Sequence, residues 1–346
     1  MKIIYSPQHH LRQPKTELHG GELVTPFECR QRVDYILKEL ARRDYSTPLP
    51  ENIYSLKPVL AVHDKHYVDF LSTVWQHWCD AGYKGEAIPN VWPARSMRSD
   101  IVPEHIEGQL GYYALASESS ITRGTWEAAL AAKDVALTAA DLLLKGDQSA
   151  FALCRPPGHH AASNQFGGYC FLNNAAIAAQ HLRDQGAARV VCLDVDFHHG
   201  NGTQQIFYQR DDVMTISLHG DPAHAFPYFL GYADETGTGK GKGFTHNYPL
   251  PPAADYVTWG AALGQALDTI QQYDCDYLVV SLGVDTYEND PISFFKLTSD
   301  DFFDYGKRIG ALGIPTLFVM EGGYAVEEIG INTANVLDGF QAANKV

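Results

Sequence analysis

A chain of 346 residues with 45% hydrophobic side chains can bury a large core and has the composition of an ordinary globular protein. Its formal charge of −15, from 26 basic and 41 acidic residues, makes a field that repels nucleic acid and favours cationic ligands. No signal-peptide core or membrane-length apolar run is visible, so cytoplasm is the default compartment, and six scattered cysteines without a C-x-x-C pair read as neither a disulfide framework nor a thiolate zinc site.

In chain order, residues 2–5 read as a strand and 8–26 as a polar loop. A helix over 27–43 carries an apolar stripe at Val33, Ile36, Leu37 and Leu40. A second helix, 64–80, carries Tyr67, Phe70, Leu71, Val74, Trp75 and Trp78, an aromatic set suited to packing. Residues 82–125 are the least regular part, with three prolines, Trp92 and a short helix expected within 103–116. A loop region of this length inside one domain is usually functional or an interface. Thr125 is expected to N-cap a helix running to Lys145. Strands follow at 149–154, 190–197, 213–218, 277–282 and 315–320, and helices at 174–185, 255–272, 299–312 and 327–340. The glycine-rich run 237–243 lacks the Walker spacing and the flanking strand and helix of a phosphate loop. Strands alternating with helices, without a composition break or repeat, predict one α/β domain with a mostly parallel central sheet flanked by helices.

The chain is organised around residues 189–202, R-V-V-C-L-D-V-D-F-H-H-G-N-G. Val190 to Leu193 make a buried parallel strand. Asp194, Asp196 and His198 then fall at i, i+2 and i+4, so an extended chain turns all three to one side. Two carboxylates and an imidazole gathered there need a cation among them. Oxygen and nitrogen donors suit a divalent metal, zinc first, although iron and cobalt accept the same set. A bare D-x-H is more often a polar loop cap, but three other strand ends also carry reactive groups: His159 and His160 after 149–154, Asp285 after 277–282, and Tyr324 after 315–320. Sites in parallel sheets form at such carboxyl ends.

Asp196, His198 and Asp285 supply three metal ligands and leave a position for water. His159 and His160 suit general base and acid roles, and Asp194 and Asn201 are the natural orienting partners of their rings. A carboxylate raises imidazole basicity more than an amide does, so the two histidines should differ in pKa. Tyr324 can hydrogen-bond the oxyanion of a tetrahedral intermediate, with Gly322 and Gly323 letting it swing in. These parts fit metal-assisted hydrolysis of an amide.

The motifs R-P-P-G-H-H, D-V-D-F-H-H-G-N-G, S-L-H, G-V-D and E-G-G-Y, in this order, resemble the zinc-dependent histone deacetylase superfamily of the arginase–deacetylase fold. With P-K-T-E-L, G-G-E-L, Y-K-G-E-A-I, I-E-G-Q, G-T-W-E-A-A-L, F-G-G-Y-C-F and D-P-I-S-F-F-K-L-T, almost the whole chain is similar to the bacterial acetylpolyamine amidohydrolases within it. The resemblance implies one zinc per subunit on Asp196, His198 and Asp285. It implies His159 oriented by Asp194, His160 oriented by Asn201 and acting as general base, and Tyr324 polarising the scissile carbonyl. Asn201 stands where many members carry Asp. A potassium ion is implied on main-chain oxygens of Asp194, Asp196, His198 and Leu218 and the side chains of Asp194 and Ser217, and a second cation near Phe207, Arg210 and Val213. The segment 83–123 would form a homodimer interface and narrow the active-site tunnel. Glu107 and Glu118 on it are candidates for a distal ammonium group, with a solvated surface role as the alternative. Phe166, Tyr169 and Phe226 would line the tunnel, with core packing as the alternative.

The expected function is removal of acetate from N-acetylated polyamines or diamines such as acetylputrescine, acetylcadaverine and acetylspermidine. The other readings are a lysine deacetylase of the same chemistry and a non-catalytic acetyl-amine binding protein. The second needs neither base nor oxyanion donor.

Overall fold

The β-rich runs and the apolar-faced segments between them fold much as their periodicities dictate. In the computed structural model, which describes residues 1–343, β1 (Lys2–Tyr5) leads through a 3-10 turn (Pro7–Leu11) into the antiparallel pair β2 (Glu17–His19) and β3 (Glu22–Val24). Then come α1 (Gln31–Arg42), β4 (Leu49–Pro50), the single turn α2 (Lys57–Leu60), α3 (Lys65–Asp80), α4 (Ile106–Tyr112), α5 (Thr125–Leu144) and β5 (Ser149–Ala152). The central part runs α6 (Asn174–Asp184), β6 (Val190–Asp194), α7 (Asn201–Phe207), β7 (Val213–Gly220) and β8 (Thr245–Leu250). The chain continues with α8 (Tyr256–Tyr273), β9 (Tyr277–Leu282), α9 (Ser299–Gly310), β10 (Thr316–Met320) and α10 (Ile329–Ala343).

Eight strands form one sheet in the order β4-β1-β5-β10-β9-β6-β7-β8, every neighbour pair parallel. The chain is thus a single α/β domain with a parallel sheet flanked by helices. Alternate strand residues go to opposite faces, as the pleat requires. Val191 and Leu193 pack with Phe151, Val280, Phe318 and Trp259 on one face. Val190, Cys192, Val279 and Leu317 pack on the other against alanines of α5 and α6, including Ala132, Ala136, Ala176 and Ala179. Alanine at these positions lets two helices lie close to the sheet, where bulkier residues would not fit.

Glycines do the same between α9 and α10. A Cβ on Gly306 would stand 2.2 Å from the Val336 carbonyl oxygen, and one on Gly339 2.0 Å from that of Phe303. Gly306→Ala must push two helix backbones apart, so a loss of about 1–3 kcal/mol in urea unfolding is expected, despite the better helix propensity of alanine. Unchanged stability would mean that the helices separate freely.

Several expectations need correction. The loop 8–26 contains a 3-10 turn and the β2–β3 hairpin. The helix expected from residue 27 starts at Gln31, and the one expected within 103–116 spans Ile106–Tyr112. Thr125 is the first residue of α5, not its cap; Gly124 stands there at φ +83°, and the Thr125 hydroxyl accepts from Thr122 N at 3.0 Å. The strand 190–197 stops at Asp194, and α7, opened by Asn201 and Gly202, was not expected. β8 was not expected; its H-N-Y-P segment lacks a clear apolar signal.

Candidate active site

The four strands that carry reactive residues, β5, β10, β9 and β6, are consecutive in the sheet. His159, His160, Asp194, Asp196, His198, Asp285 and Tyr324 therefore gather at the carboxyl ends of neighbouring central strands, all of them buried. Because β6 ends at Asp194, bends rather than strand pleating aim Asp196 and His198. Main-chain N–H groups fix these carboxylates. Asp194 accepts from Asp196 N (3.1 Å), and Asp196 accepts from His198 N (2.9 Å) and Gly322 N (2.8 Å). Asp285 accepts from Phe197 N at 2.7 Å.

Donor atoms of Asp196, His198 and Asp285 lie within 4.8 Å of one another. His198 Nδ1 sits 3.2 Å from Asp196 Oδ1 and 3.0 Å from Asp285 Oδ2. Burial, and then the Asp196 charge, push Asp285 up to about 7. Burial opposes a charged His198, yet the two carboxylates outweigh it and raise the ring to about 10. Two buried carboxylates facing one imidazole nitrogen form a donor set that a divalent cation fits, since it would neutralise both acids at once. Glycines leave the room: a Cβ on Gly322 would be 2.5 Å from oxygens of Asp196 and Asp285, and one on Gly283 2.0 Å from Asp196.

The two histidines differ as their partners suggest. His159 Nδ1 lies 2.9 Å from Asp194 Oδ2. Burial disfavours its charged form, but the Asp194 and Asp196 charges hold its pKa well above the ordinary value. His160 Nδ1 lies 2.6 Å from Asn201 Oδ1, while Asn201 Nδ2 donates to the His160 carbonyl at 3.3 Å. Burial, then His159 and His198, hold the His160 pKa well below its ordinary value. With Nδ1–H directed at the Asn201 oxygen, Nε2 of a neutral His160 is left as a proton acceptor. Gly168 (φ +54°) comes so near that a Cβ there would be 2.0 Å from His160 Cδ2.

Tyr324 is held from behind. Asp290 accepts from Tyr324 N (2.7 Å) and Ala325 N (3.2 Å). The Arg32 guanidinium lies 5.0 Å over the Tyr324 ring, and its Nε donates to the Gly323 carbonyl at 2.7 Å. Tyr169 packs edge-on at 5.5 Å. Burial raises the Tyr324 hydroxyl well above its ordinary pKa, keeping it a donor.

A pocket of 440 Å³ opens over these groups, with His160, His198 and Tyr324 in its lining. Tyr169, Phe226, Glu118 and Glu17 add to its wall. Glu118 accepts from Gly168 N (2.6 Å) and Ser119 Oγ (3.1 Å). Glu17, on β2, accepts from Tyr169 Oη at 2.6 Å and from Phe27 N at 3.1 Å. Burial raises the pKa of both acids.

Two residues expected at substrate do not line this pocket. Phe166 is buried, stacked on Phe70 and Phe171 in the core under α3, because aromatics at 70, 113 and 171 offer it a drier site. Glu107 lies on α4 near His105 and Tyr83. The residues expected around potassium are adjacent: Asp194 and Ser217 are register partners of β6 and β7, and Leu218 follows, buried. The Ser217 hydroxyl is 2.8 Å from His219 Nδ1. Of the second-cation residues, Phe207 accepts from Arg210 N at 2.9 Å through its carbonyl, and Val213 begins β7.

Sequence reasoning missed Glu17, Arg32, Asp290, Gly168, Gly283 and Glu321, whose carboxylate accepts from Gly158 N at 2.6 Å and His159 N at 3.1 Å. Most act on main-chain atoms from distant segments, which no local pattern reveals. Glu17 had a signal, an acid in the P-K-T-E-L segment, but its place beside the tunnel depends on the hairpin.

The histone deacetylase domain model matches residues 26–340. The chain is 55% identical to the acetylpolyamine amidohydrolase of Mycoplana ramosa, over 98% of this chain and 99% of the relative. It is 50% identical to acetylpolyamine amidohydrolase 1 of Pseudomonas aeruginosa, over 99% of each chain. The crystal structure of acetylpolyamine aminohydrolase from Burkholderia pseudomallei superposes with a TM-score of 0.94 at 36% identity, covering 99% of each chain.

Proposed function

The chain belongs to the histone deacetylase domain family, and on that premise we propose that it is a hydrolase removing acetate from N-acetylated polyamines and diamines. The observation that carries this reading is the position of the Asp196–His198–Asp285 donor set beside His160 and Tyr324, under a pocket walled by Tyr169, Phe226, Glu17 and Glu118.

Asp196, His198 and Asp285 would hold a zinc ion, which when bound polarises the amide carbonyl and acidifies a water molecule. His160, neutral and held by Asn201, takes the proton of the attacking water on Nε2. His159, kept protonated by Asp194, donates toward the leaving amine. Tyr324 donates to the carbonyl oxygen as negative charge develops there. Tyr169 and Phe226 sheathe the methylenes. Glu17 and Glu118 offer carboxylates to a distal ammonium, in keeping with the net charge of −15.

The proposal extends to a homodimer through residues 83–123, which also narrow the tunnel. Exposed Val91, Met97 and Ile101 on that segment support an interface there. It extends to a potassium ion at Asp194, Ser217 and Leu218, and to a second cation near Phe207, Arg210 and Val213. Cytoplasmic residence is part of the same reading; among the described residues no helix is long and apolar enough to cross a membrane.

The test is kcat/KM of zinc-loaded protein on acetylputrescine, acetylcadaverine and an acetyl-lysine peptide, side by side. Preference for the free acetyldiamines is expected. Preference for the peptide would keep the chemistry and make the protein a lysine deacetylase. Glu118→Ala is expected to raise KM for charged acetyldiamines by roughly tenfold, the worth of one charged hydrogen bond, and to spare a neutral acetamide. Equal effects on both would remove charge recognition from its role.

A further inference from the structure

Behind the catalytic histidines a second donor set converges. Atoms of His159, Cys170 and Glu321 lie within 4.8 Å of one another, all buried. Glu321 follows β10 and is fully enclosed. Its Oε2 accepts from Gly158 N at 2.6 Å and His159 N at 3.1 Å, whereas Oε1 is buried without a hydrogen-bond partner. Leaving a buried acceptor unpaired is costly, more so for a charge, so a proton or a cation belongs beside it. Cys170 Sγ donates to the Gly168 carbonyl at 3.2 Å, and a thiol is a weak donor. Gly168 and Tyr169, its chain neighbours, line the pocket, so the set lies just behind the pocket wall.

Cysteine, histidine and glutamate together suit zinc and the softer cadmium rather than magnesium or calcium. We propose that His159, Cys170 and Glu321 form a second divalent-cation site whose occupation withdraws His159 from the reaction and inhibits the enzyme. Binding displaces two protons to solvent, one from the Cys170 thiol and one from the His159 imidazolium, and leaves the thiolate and a neutral imidazole nitrogen on the metal. His159 then serves as a ligand and no longer delivers a proton to the leaving amine. The inhibitory part rests on the hydrolase reading above; the binding part does not.

Sulfur separates the two sites, since the Asp196–His198–Asp285 set contains none. The protein carrying one equivalent of zinc is titrated with Cd²⁺ alone and followed by the ultraviolet cadmium–thiolate band. A band saturating near one further equivalent is expected, absent from Cys170→Ser. In parallel, excess Zn²⁺ is expected to suppress acetylputrescine hydrolysis in the wild type. In Cys170→Ser, with its basal rate retained, that inhibition needs roughly 10–100-fold more zinc. Glu321→Gln keeps the thiol and an amide oxygen for the two N–H groups, so a weakened but present band is expected even if Cys170→Ser folds poorly. No band in the wild type, or one that persists in Cys170→Ser, overturns the site and leaves a proton on Glu321. A band without zinc inhibition overturns the regulatory role. Absence of any hydrolysis refutes the proposed function and leaves the band to decide binding.

Discussion

Tyr324→Phe is expected to lower kcat on acetylputrescine by roughly 10²–10³-fold, or about 2.7–4 kcal/mol in the barrier, with KM little changed. The substitution removes one oxygen and preserves the ring that Arg32 and Tyr169 hold. Its backbone stays anchored by Asp290. The loss therefore falls on charge stabilisation in the transition state rather than on binding or folding. Steady-state kinetics with a thermal-unfolding control make the check. Turnover within about twofold of wild type would remove Tyr324 from the chemistry.

On the proposed zinc reading, Asp285→Asn is expected to weaken metal binding. The amide can still accept from Phe197 N, so the local backbone is kept. What goes is one of the two buried negative charges that face His198 Nδ1. Metal affinity should fall by at least roughly 10–100-fold, the loss typical of a damaged metal site, and activity should fall with the metal retained. Elemental analysis after gel filtration reads the first and kinetics the second. An Asn variant that keeps one metal per chain at wild-type activity would refute this ligand set. Chelating the metal from the wild type is expected to lower Tm, because a ligand bound only to the folded state stabilises it by mass action.

The legible parts of this protein were those where the side chain itself carries the information. Val190 to Leu193 read as a buried strand because apolar β-formers have few other uses in such a run. That His159 and His160 take Asp194 and Asn201 as partners, and so differ in pKa, was readable from the chemistry of imidazole, while the assignment of His159 to Asp194 and His160 to Asn201 came from the family resemblance. Phe166 was not readable. An aromatic near a candidate tunnel and an aromatic in a core have the same composition, and only neighbours at 70 and 171 separate them. Thr125 was likewise mistaken for a cap, because glycine at φ +83° already turns the chain before it.

By itself, the sequence determined the α/β class and the alternation of elements, and it singled out the residues here proposed as metal donors, base and oxyanion donor, since these depend on local periodicity and on what each functional group can do. Tertiary structure alone decided that β5, β10, β9 and β6 lie side by side, although β9 and β10 come late in the chain. It also decided that Arg32, Asp290 and Glu321 brace the site from distant segments through main-chain atoms, and that Glu17 joins Glu118 in the pocket wall. The physical reason is that strand order and main-chain hydrogen bonds are settled by closing long loops around one core, a collective balance of burial and chain entropy that leaves no mark on any single short motif.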